Sequence, residues 1–207
     1  MELGNKYTSL QKSMDRKIIL DCDGVLLDWA YAFDVWMCEQ GYQRLKNTDK
    51  YYDQSLRYGI NRNISNNLIK VFNESGCVGF IPAYKDSVEY INKLYKIGWR
   101  FEVISCLDRD KYAQKLRVKN LKHLFGNVFD FIDCSLDYTV GKEEYLFDKY
   151  IGTSYYWIED SVNHAISGAK VGLNSIIMDH PYNQEWEGLR VKSWKEAYKI
   201  ITHDPTY

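Results

Sequence analysis

The hydrophobic and polar positions of this chain alternate between two patterns. Short apolar runs are typical of buried strands in a parallel sheet, because both faces of such a strand are covered. From residue 85 onward these runs alternate with amphipathic segments, and this alternation predicts an α/β fold with a parallel sheet. The predicted strands are a short apolar run that begins the 17–28 stretch, followed by 100–105, 128–132, 155–158 and 175–178. The predicted helices of this part are 85–97, one from 108 or 109 to 124, 162–169 and 194–201.

The segment between the first and second predicted strands has a different pattern. Residues 28–40 carry apolar side chains at helical spacing and end at Gly41, which is a plausible helix stop. A polar stretch rich in tyrosine follows, and 60–72 again has a helical pattern before Gly76 and Gly79 interrupt it. We therefore expect a helical insert at 29–81, an α/β core formed by 17–28 and 82–207, and a loosely held lead-in at 1–16.

The composition is that of an ordinary globular protein. The chain has 207 residues, of which 45% are hydrophobic and 27% charged, as in ordinary globular proteins. Its formal net charge of −1 gives no sign of a surface that coats nucleic acid. The five cysteines have no zinc-type spacing, and we expect reduced thiols in a cytoplasmic protein. No apolar run indicates a signal peptide or a membrane span, so we expect no membrane partner.

The candidate chemistry begins where the first strand ends. Asp21 and Asp23 stand one residue apart there, and Gly24 follows directly. In an open α/β sheet, ligands bind in the crevice beyond the carboxyl ends of the strands. Two desolvated like charges repel each other, so a fold retains such a pair when a cation or a reaction requires it. The alternative is a solvated loop whose acids serve only as a helix N-cap.

The segment Asp21-Cys22-Asp23-Gly24-Val25-Leu26-Leu27-Asp28 resembles the first motif of the haloacid dehalogenase-like (HAD) phosphohydrolases. Later residues match the other three motifs in order: Ser105, Lys142 and the pair Glu159-Asp160. Each has a simpler interpretation. Ser105 would then be a turn former, Lys142 a solvent-facing loop residue, and the acidic pair the N-cap of the following helix. Lys149 is a competing candidate for the lysine of the third motif.

The resemblance implies a three-layer Rossmann-like core with a small helical cap after the first strand. It also implies that Asp21 is a nucleophile and that Asp23 is the general acid and base. Mg²⁺ would be bound by Asp21, the backbone carbonyl of Asp23 and Asp160, with Glu159 as an orienting group or alternative ligand. Ser105 and Lys142 would bind the phosphate.

Shorter sequence segments point to one branch of this superfamily. Segments 80–84, 179–183 and 190–194, together with Asn163, are similar to the 5′(3′)-deoxyribonucleotidase branch. This implies that the substrate is a small phosphate monoester, a nucleoside monophosphate, whose base stacks on aromatic side chains of the cap. We expect Phe33 and Trp36 to form the core of the cap instead. The aromatic candidates are Trp29, Phe33, Trp36, Tyr51, Tyr52 and Tyr58.

Three other functions fit parts of the pattern. A HAD phosphatase for another small phosphorylated metabolite would share every catalytic residue and differ in its cap. A catalytically idle binding protein would be free to lose Asp23 or Lys142, and this chain retains both. A phosphatase acting on polynucleotide ends is disfavoured by the balanced charge, because gripping several phosphates usually takes a basic groove. The sequence does not predict the oligomeric state.

Overall fold

A computed structural model describes residues 16–107, 109–136 and 141–203. Six strands form one sheet in which every neighbouring pair is parallel, in the order β3-β2-β1-β4-β5-β6. The predicted parallel α/β fold is therefore confirmed. The strands are β1 (Lys17–Leu20), β2 (Arg100–Cys106), β3 (Phe129–Leu136), β4 (Tyr156–Glu159), β5 (Asn174–Met178) and β6 (Leu189–Val191).

Every strand and helix predicted from residue 85 onward is present. The sequence pattern predicted a helix around Lys149 without bounds, and the structure has one at Glu143–Tyr150. It missed β6, the five-residue helix at Gln54–Tyr58 and a 3₁₀ turn at Gly76–Gly79, because such short elements have no periodic signal. Predictions on 1–15, on Asp108 as a possible helix start and on the core residues 137–140 and 204–207 lie outside the described residues. The helices are α1 (Trp29–Glu39), α2 (Gln54–Tyr58), α3 (Arg62–Glu74), α4 (Ser87–Lys96), α5 (Lys111–Phe125), α6 (Glu143–Tyr150), α7 (Val162–Lys170) and α8 (Trp194–His203).

The sheet separates two hydrophobic clusters, which makes the core three-layered as predicted. Alternate residues of one strand point to opposite faces, so Leu20 packs in the larger cluster and Ile19 in the smaller one. The larger cluster also contains apolar residues of α1, α3, α4, α5 and α8. The smaller cluster contains Leu146 and Tyr150 of α6. Within the described residues, no helix combines the length and the apolar character that crossing a membrane requires.

Asx side chains begin the helices around the candidate site. The side chains of Asp28, Asp53, Asn61 and Asp110 accept hydrogen bonds from backbone N–H groups in the first turns of α1, α2, α3 and α5. Such caps satisfy helix donors that would otherwise lack partners. The polar stretch that precedes α3 is therefore ordered by local hydrogen bonds.

Aromatic packing holds the helices of the 29–81 segment together. Phe33 and Phe72 are fully buried with ring centroids 5.3 Å apart, and Trp29 stacks on Phe33 at 4.6 Å. Tyr58 packs edge-on against Phe33 and donates a hydrogen bond to Asp34. These rings belong to the same hydrophobic cluster as one face of the sheet. The boundaries proposed for the cap and the core remain predictions.

Candidate active site

The sequence-predicted site residues lie at the carboxyl ends of three neighbouring strands. Asp21 follows β1, Ser105 is the penultimate residue of β2, and Glu159 ends β4 directly before Asp160. Since β1 lies between β2 and β4, these side chains converge at one edge of the sheet. Lys142 reaches the same point from the residue before α6. The structure thus brings together groups that are up to 139 positions apart, from 21 to 160.

Lys142 lies buried between two carboxylates. Its Nζ contacts Oδ1 of Asp21 and lies 2.6 Å from Oε1 of Glu159, while its exposed fraction is only 2%. Burial alone would lower the pKa of Lys142, but the two negative charges raise it well above its ordinary value. Lys142 is therefore a charged ammonium at the strand ends. Lys149, its competitor in the sequence, pairs instead with Glu102 at 3.0 Å.

Glu159 is fully buried, and both of its carboxylate oxygens have donors. Oε2 accepts hydrogen bonds from the backbone N–H groups of Asp160 and Ser161, each at 2.8 Å. Oε1 contacts Lys142 and lies 3.2 Å from Nδ1 of His164. Burial opposes ionisation, but the Lys142 charge and the His164 contact lower the pKa of Glu159. Glu159 therefore ties Lys142, His164 and the backbone after β4 together, and its role as an orienting group or alternative ligand stays a prediction.

Three buried carboxylates converge on one point. Oxygens of Asp21, Glu159 and Asp160 lie within 4.8 Å of one another, with Lys142 as the ammonium bonded to this cluster. Burial and the Glu159 charge raise the pKa of Asp21 to about 7, although Lys142 opposes the shift. Burial and the charges of Glu159 and Asp21 raise the pKa of Asp160 as well. This surplus of negative charge fits a hard divalent cation such as Mg²⁺, which prefers oxygen ligands.

Binding of Mg²⁺ is expected to strengthen with rising pH. Because the pKa of Asp21 is about 7 in the metal-free site, a proton competes with the cation below that value and must leave on binding. The affinity should fall by about tenfold for each pH unit below this pKa, for each proton displaced. Calorimetric titration with MgCl₂ one unit above and one unit below this pKa measures the difference. Equal affinities at the two pH values would contradict the assignment.

Asp23 is held by an arginine that the sequence analysis did not single out. Nη1 of Arg117 donates to Oδ1 of Asp23 at 2.5 Å and to Sγ of Cys22 at 3.2 Å. Arg117 is fully buried, whereas the Asp23 side chain is 28% exposed and lines the cavity. Among the described residues, Nε and Nη2 of Arg117 have no hydrogen-bond partner. Asp23 is therefore the hydrogen-bond acceptor that the buried Arg117 side chain meets at the cavity.

Residues after β5 form hydrogen bonds and a ring stack beside Asp160. The Tyr182 hydroxyl donates to Oδ2 of Asp160 at 2.5 Å, and the His180 ring stacks on Tyr182 at 4.8 Å. Nδ2 of Asn183 donates to the backbone carbonyl of Asp160 at 2.8 Å. The segment 179–183 thus holds Asp160 in place through Tyr182 and Asn183.

The backbone of Gly24 packs against the side chain of Asp160. It has a φ of +75°, and a Cβ there would lie 2.5 Å from Oδ2 of Asp160. Gly24→Ala should therefore reduce both stability and any metal-dependent activity. Gly41→Ala is a matched control, because Gly41 has a φ of +86° and a Cβ there would meet nothing within 4 Å.

Each substitution should lower the free energy of unfolding by about 1–2 kcal/mol, because alanine disfavours a left-handed backbone. Gly24→Ala should lower it further, because its Cβ also meets Asp160. Urea unfolding of the two variants measures the difference. Equal unfolding free energies together with full Mg²⁺ binding by Gly24→Ala would contradict the close packing.

A cavity of about 420 Å³ opens over the strand ends. Asp21, Asp23, Ser105, Lys142 and Asp160 line its floor. Its opposite side, which we call the cap wall, includes Trp29, Gln54, Arg57, Asn66, Ile69 and Asn73. Of the aromatic candidates, Trp29 and Tyr52 line the cavity, whereas Phe33 and Tyr58 are buried in the hydrophobic cluster.

Sequence reasoning missed Arg117 and the polar cap-wall residues. A signal for Arg117 exists, since Ala113, Arg117 and Leu121 are four residues apart and share the buried face of α5. A charged residue on the buried face of a helix indicates that a group of opposite charge lies buried beside it. No comparable signal marks Gln54 or Arg57, because α2 is only five residues long.

Comparison with known proteins identifies the fold. No protein-family model and no curated protein sequence matches this chain. Solved structures of HAD-superfamily hydrolases share its architecture. One from Ehrlichia chaffeensis is 18% identical with a TM-score of 0.56 and covers 91% of this chain and 97% of its own. One from Streptococcus pneumoniae is 12% identical with a TM-score of 0.62, covering 90% and 98%.

A third similar structure was solved with a metal ion. The proposed HAD hydrolase YfnB of Bacillus subtilis, bound to magnesium, is 15% identical with a TM-score of 0.57 and covers 90% of this chain and 98% of its own. The chain therefore has the fold of the HAD-superfamily hydrolases, as the sequence motifs predicted.

Proposed function

We propose that this protein is a Mg²⁺-dependent phosphomonoesterase that hydrolyses nucleoside monophosphates to nucleoside and phosphate. The observation that carries this proposal is the floor of the cavity, where Asp21, Asp23, Ser105, Lys142 and Asp160 meet. These residue types supply a nucleophile, an acid, anion donors and a cation ligand for one phosphoryl transfer.

The reaction would proceed in two displacements. A carboxylate oxygen of Asp21 attacks phosphorus, the bond to the ester oxygen breaks, and Asp23 gives its proton to the departing alcohol. Asp23 then takes a proton from water, whose oxygen attacks the aspartyl-phosphate and releases phosphate and the Asp21 carboxylate. The buried Lys142 ammonium and the Ser105 hydroxyl, which both line the cavity, would hold phosphoryl oxygens.

Mg²⁺, held by Asp21 and Asp160, would offset the charge that accumulates on the phosphoryl group. Lys142 would hold the Asp21 carboxylate in place at the cavity floor, because its ammonium contacts Oδ1 directly. Glu159 would hold Lys142 from the other side at 2.6 Å.

The nucleoside part of the proposal is supported by the size and lining of the cavity. A volume of about 420 Å³ is in the range of ordinary small-ligand pockets. The Trp29 ring lines the cavity and is fixed by a 2.9 Å hydrogen bond from its Nε1 to Oδ1 of Asn73. A rigid indole of this kind suits stacking against a flat base.

The test is a Mg²⁺-dependent phosphate-release assay across ribo- and deoxyribonucleoside monophosphates, sugar phosphates and phosphoglycolate. We expect the highest kcat/KM with a nucleoside monophosphate and no release when EDTA is present. A preference for a sugar phosphate or phosphoglycolate would contradict the nucleotidase assignment but leave the phosphatase chemistry intact. No release from any ester would contradict both.

A further inference from the structure

The face of α3 that lines the cavity is mainly polar. Arg62, Asn66, Ile69 and Asn73 line the cavity at intervals of four, three and four residues, which places them on one helical stripe. Asn73 is committed to Trp29 through the 2.9 Å hydrogen bond. Asn66 is exposed to the cavity and presents an amide with both donor and acceptor groups.

Helix α2 adds two unsatisfied polar atoms to the same wall. Among the described residues, Oε1 of Gln54 and Nε of Arg57 are buried without a hydrogen-bond partner. The two residues are three positions apart on α2 and both line the cavity. Arg57 as a whole is only 4% exposed. Buried polar groups without partners are rare in folded proteins. Both atoms have almost no accessible surface, so the two side chains must turn toward the cavity that they line before a ligand can satisfy them.

The charges of the cap wall are already balanced. Nη2 of Arg57 lies 3.9 Å from Asp34 and 3.8 Å from Asp49, and Nε of Arg62 lies 3.6 Å from Asp53. Each arginine therefore has a carboxylate beside it, which leaves little excess positive charge for a second anion. A ligand group at this wall should be uncharged, with a donor for Gln54 and an acceptor for Arg57.

We infer that Gln54, Arg57 and Asn66 form the recognition site for the hydrogen-bonding edge of a nucleobase. This inference rests on the proposed function, because it assigns the leaving group of that reaction. Each nucleobase carries donors and acceptors side by side on a flat ring, which matches the two unsatisfied atoms and the neighbouring Trp29 and Ile69 surfaces. A sugar bisphosphate or a phosphorylated carboxylic acid would bring a second negative charge to a wall whose two arginines already lie beside carboxylates.

The experiment compares kcat/KM for deoxynucleoside 5′-monophosphates with kcat/KM for deoxyribose 5-phosphate, which lacks the base. The test variants are Gln54→Leu and Asn66→Ala. Arg57→Lys is a third, which keeps the charge opposite Asp34 and Asp49 but removes the Nε donor. The matched controls are Gln43→Leu and Asn67→Ala, at exposed positions outside the cavity lining. Calorimetric binding of the four deoxynucleosides, which carry no phosphate, gives a second measurement.

We expect the ratio of the two kcat/KM values to fall about tenfold or more in the test variants, since each loses a buried hydrogen bond to the base. The controls should keep the parental ratio. The inference is overturned if the test variants keep that ratio, or if they lose activity equally on both substrates.

The two proposals fail in different ways. Selective hydrolysis of nucleotides by the parent and by every cap-wall variant would overturn the recognition site and support the enzyme. If the parent releases no phosphate but binds deoxynucleosides, and Gln54→Leu weakens that binding, the hydrolase assignment is overturned and the recognition site stands.

Discussion

Asp21→Asn is expected to lower Mg²⁺-dependent phosphate release by about ten-thousand-fold or more, the scale seen when a catalytic nucleophile is removed. The amide cannot form the aspartyl-phosphate, and it is a poor ligand for a hard cation. The fold should survive, because Lys142 keeps its 2.6 Å contact with Glu159 and is not left as an unpaired buried charge.

The stability of this variant is a second, independent readout. The pKa of Asp21 is raised to about 7 by burial and by the charge of Glu159, so its ionised form is unfavourable in the folded, metal-free protein. Above this pKa the neutral amide should therefore melt at the same temperature as the parent or higher when no Mg²⁺ is present. Asp148→Asn, at an exposed position on α6, is the matched control. An active and unaltered Asp21→Asn would contradict the nucleophile assignment.

Asp23→Ala is expected to impair both catalysis and folding. Loss of the general acid and base should lower kcat/KM for a nucleoside monophosphate by about 10²–10⁴-fold. The same change leaves Arg117, which is fully buried, without the carboxylate 2.5 Å away. Breaking a buried pair costs about 3–5 kcal/mol, and the lower value applies here because water reaches Asp23.

A second substitution separates the two roles of Asp23. Arg117→Met removes the buried charge, so Asp23→Ala/Arg117→Met should recover most of the unfolding free energy and none of the activity. Asp23→Asn offers an intermediate case, because its amide oxygen can still accept from Nη1 of Arg117. Urea unfolding and phosphate release from the single and double variants measure both quantities. A double variant as unstable as Asp23→Ala would show that Arg117 does not depend on this carboxylate.

The floor of the site could be predicted because its residues are tied to strand ends. Asp21 and Asp23 directly follow an apolar run, and Glu159-Asp160 directly follow another, so strand recognition also located the acids. Parallel strands place their carboxyl ends on one edge, which brings these positions together before any side-chain contact is known. Lys142 lies in a loop, so its prediction as a site residue depended on the order of the four motifs along the chain.

The cap wall could not be predicted because its residues act through tertiary contacts. Gln54 and Arg57 lie on a helix too short to have a periodic pattern, and their unsatisfied atoms depend on how α2 packs. Arg117 resembles any other polar position of an amphipathic helix, although it occupies the buried face. Polar residues that serve a cavity look like surface residues in a sequence.

The covalent role of Asp21 is tested most directly by trapping it in the Asp23→Asn variant with p-nitrophenyl phosphate and Mg²⁺. This ester has a leaving group that needs no acid, so the first displacement should proceed while the loss of the base delays hydrolysis. Borohydride reduces an aspartyl-phosphate to homoserine, which peptide mass spectrometry locates. We predict a burst of one nitrophenolate per protein and homoserine at position 21. A burst with the modification at any other residue, or steady phosphate release with none at Asp21, would contradict the mechanism.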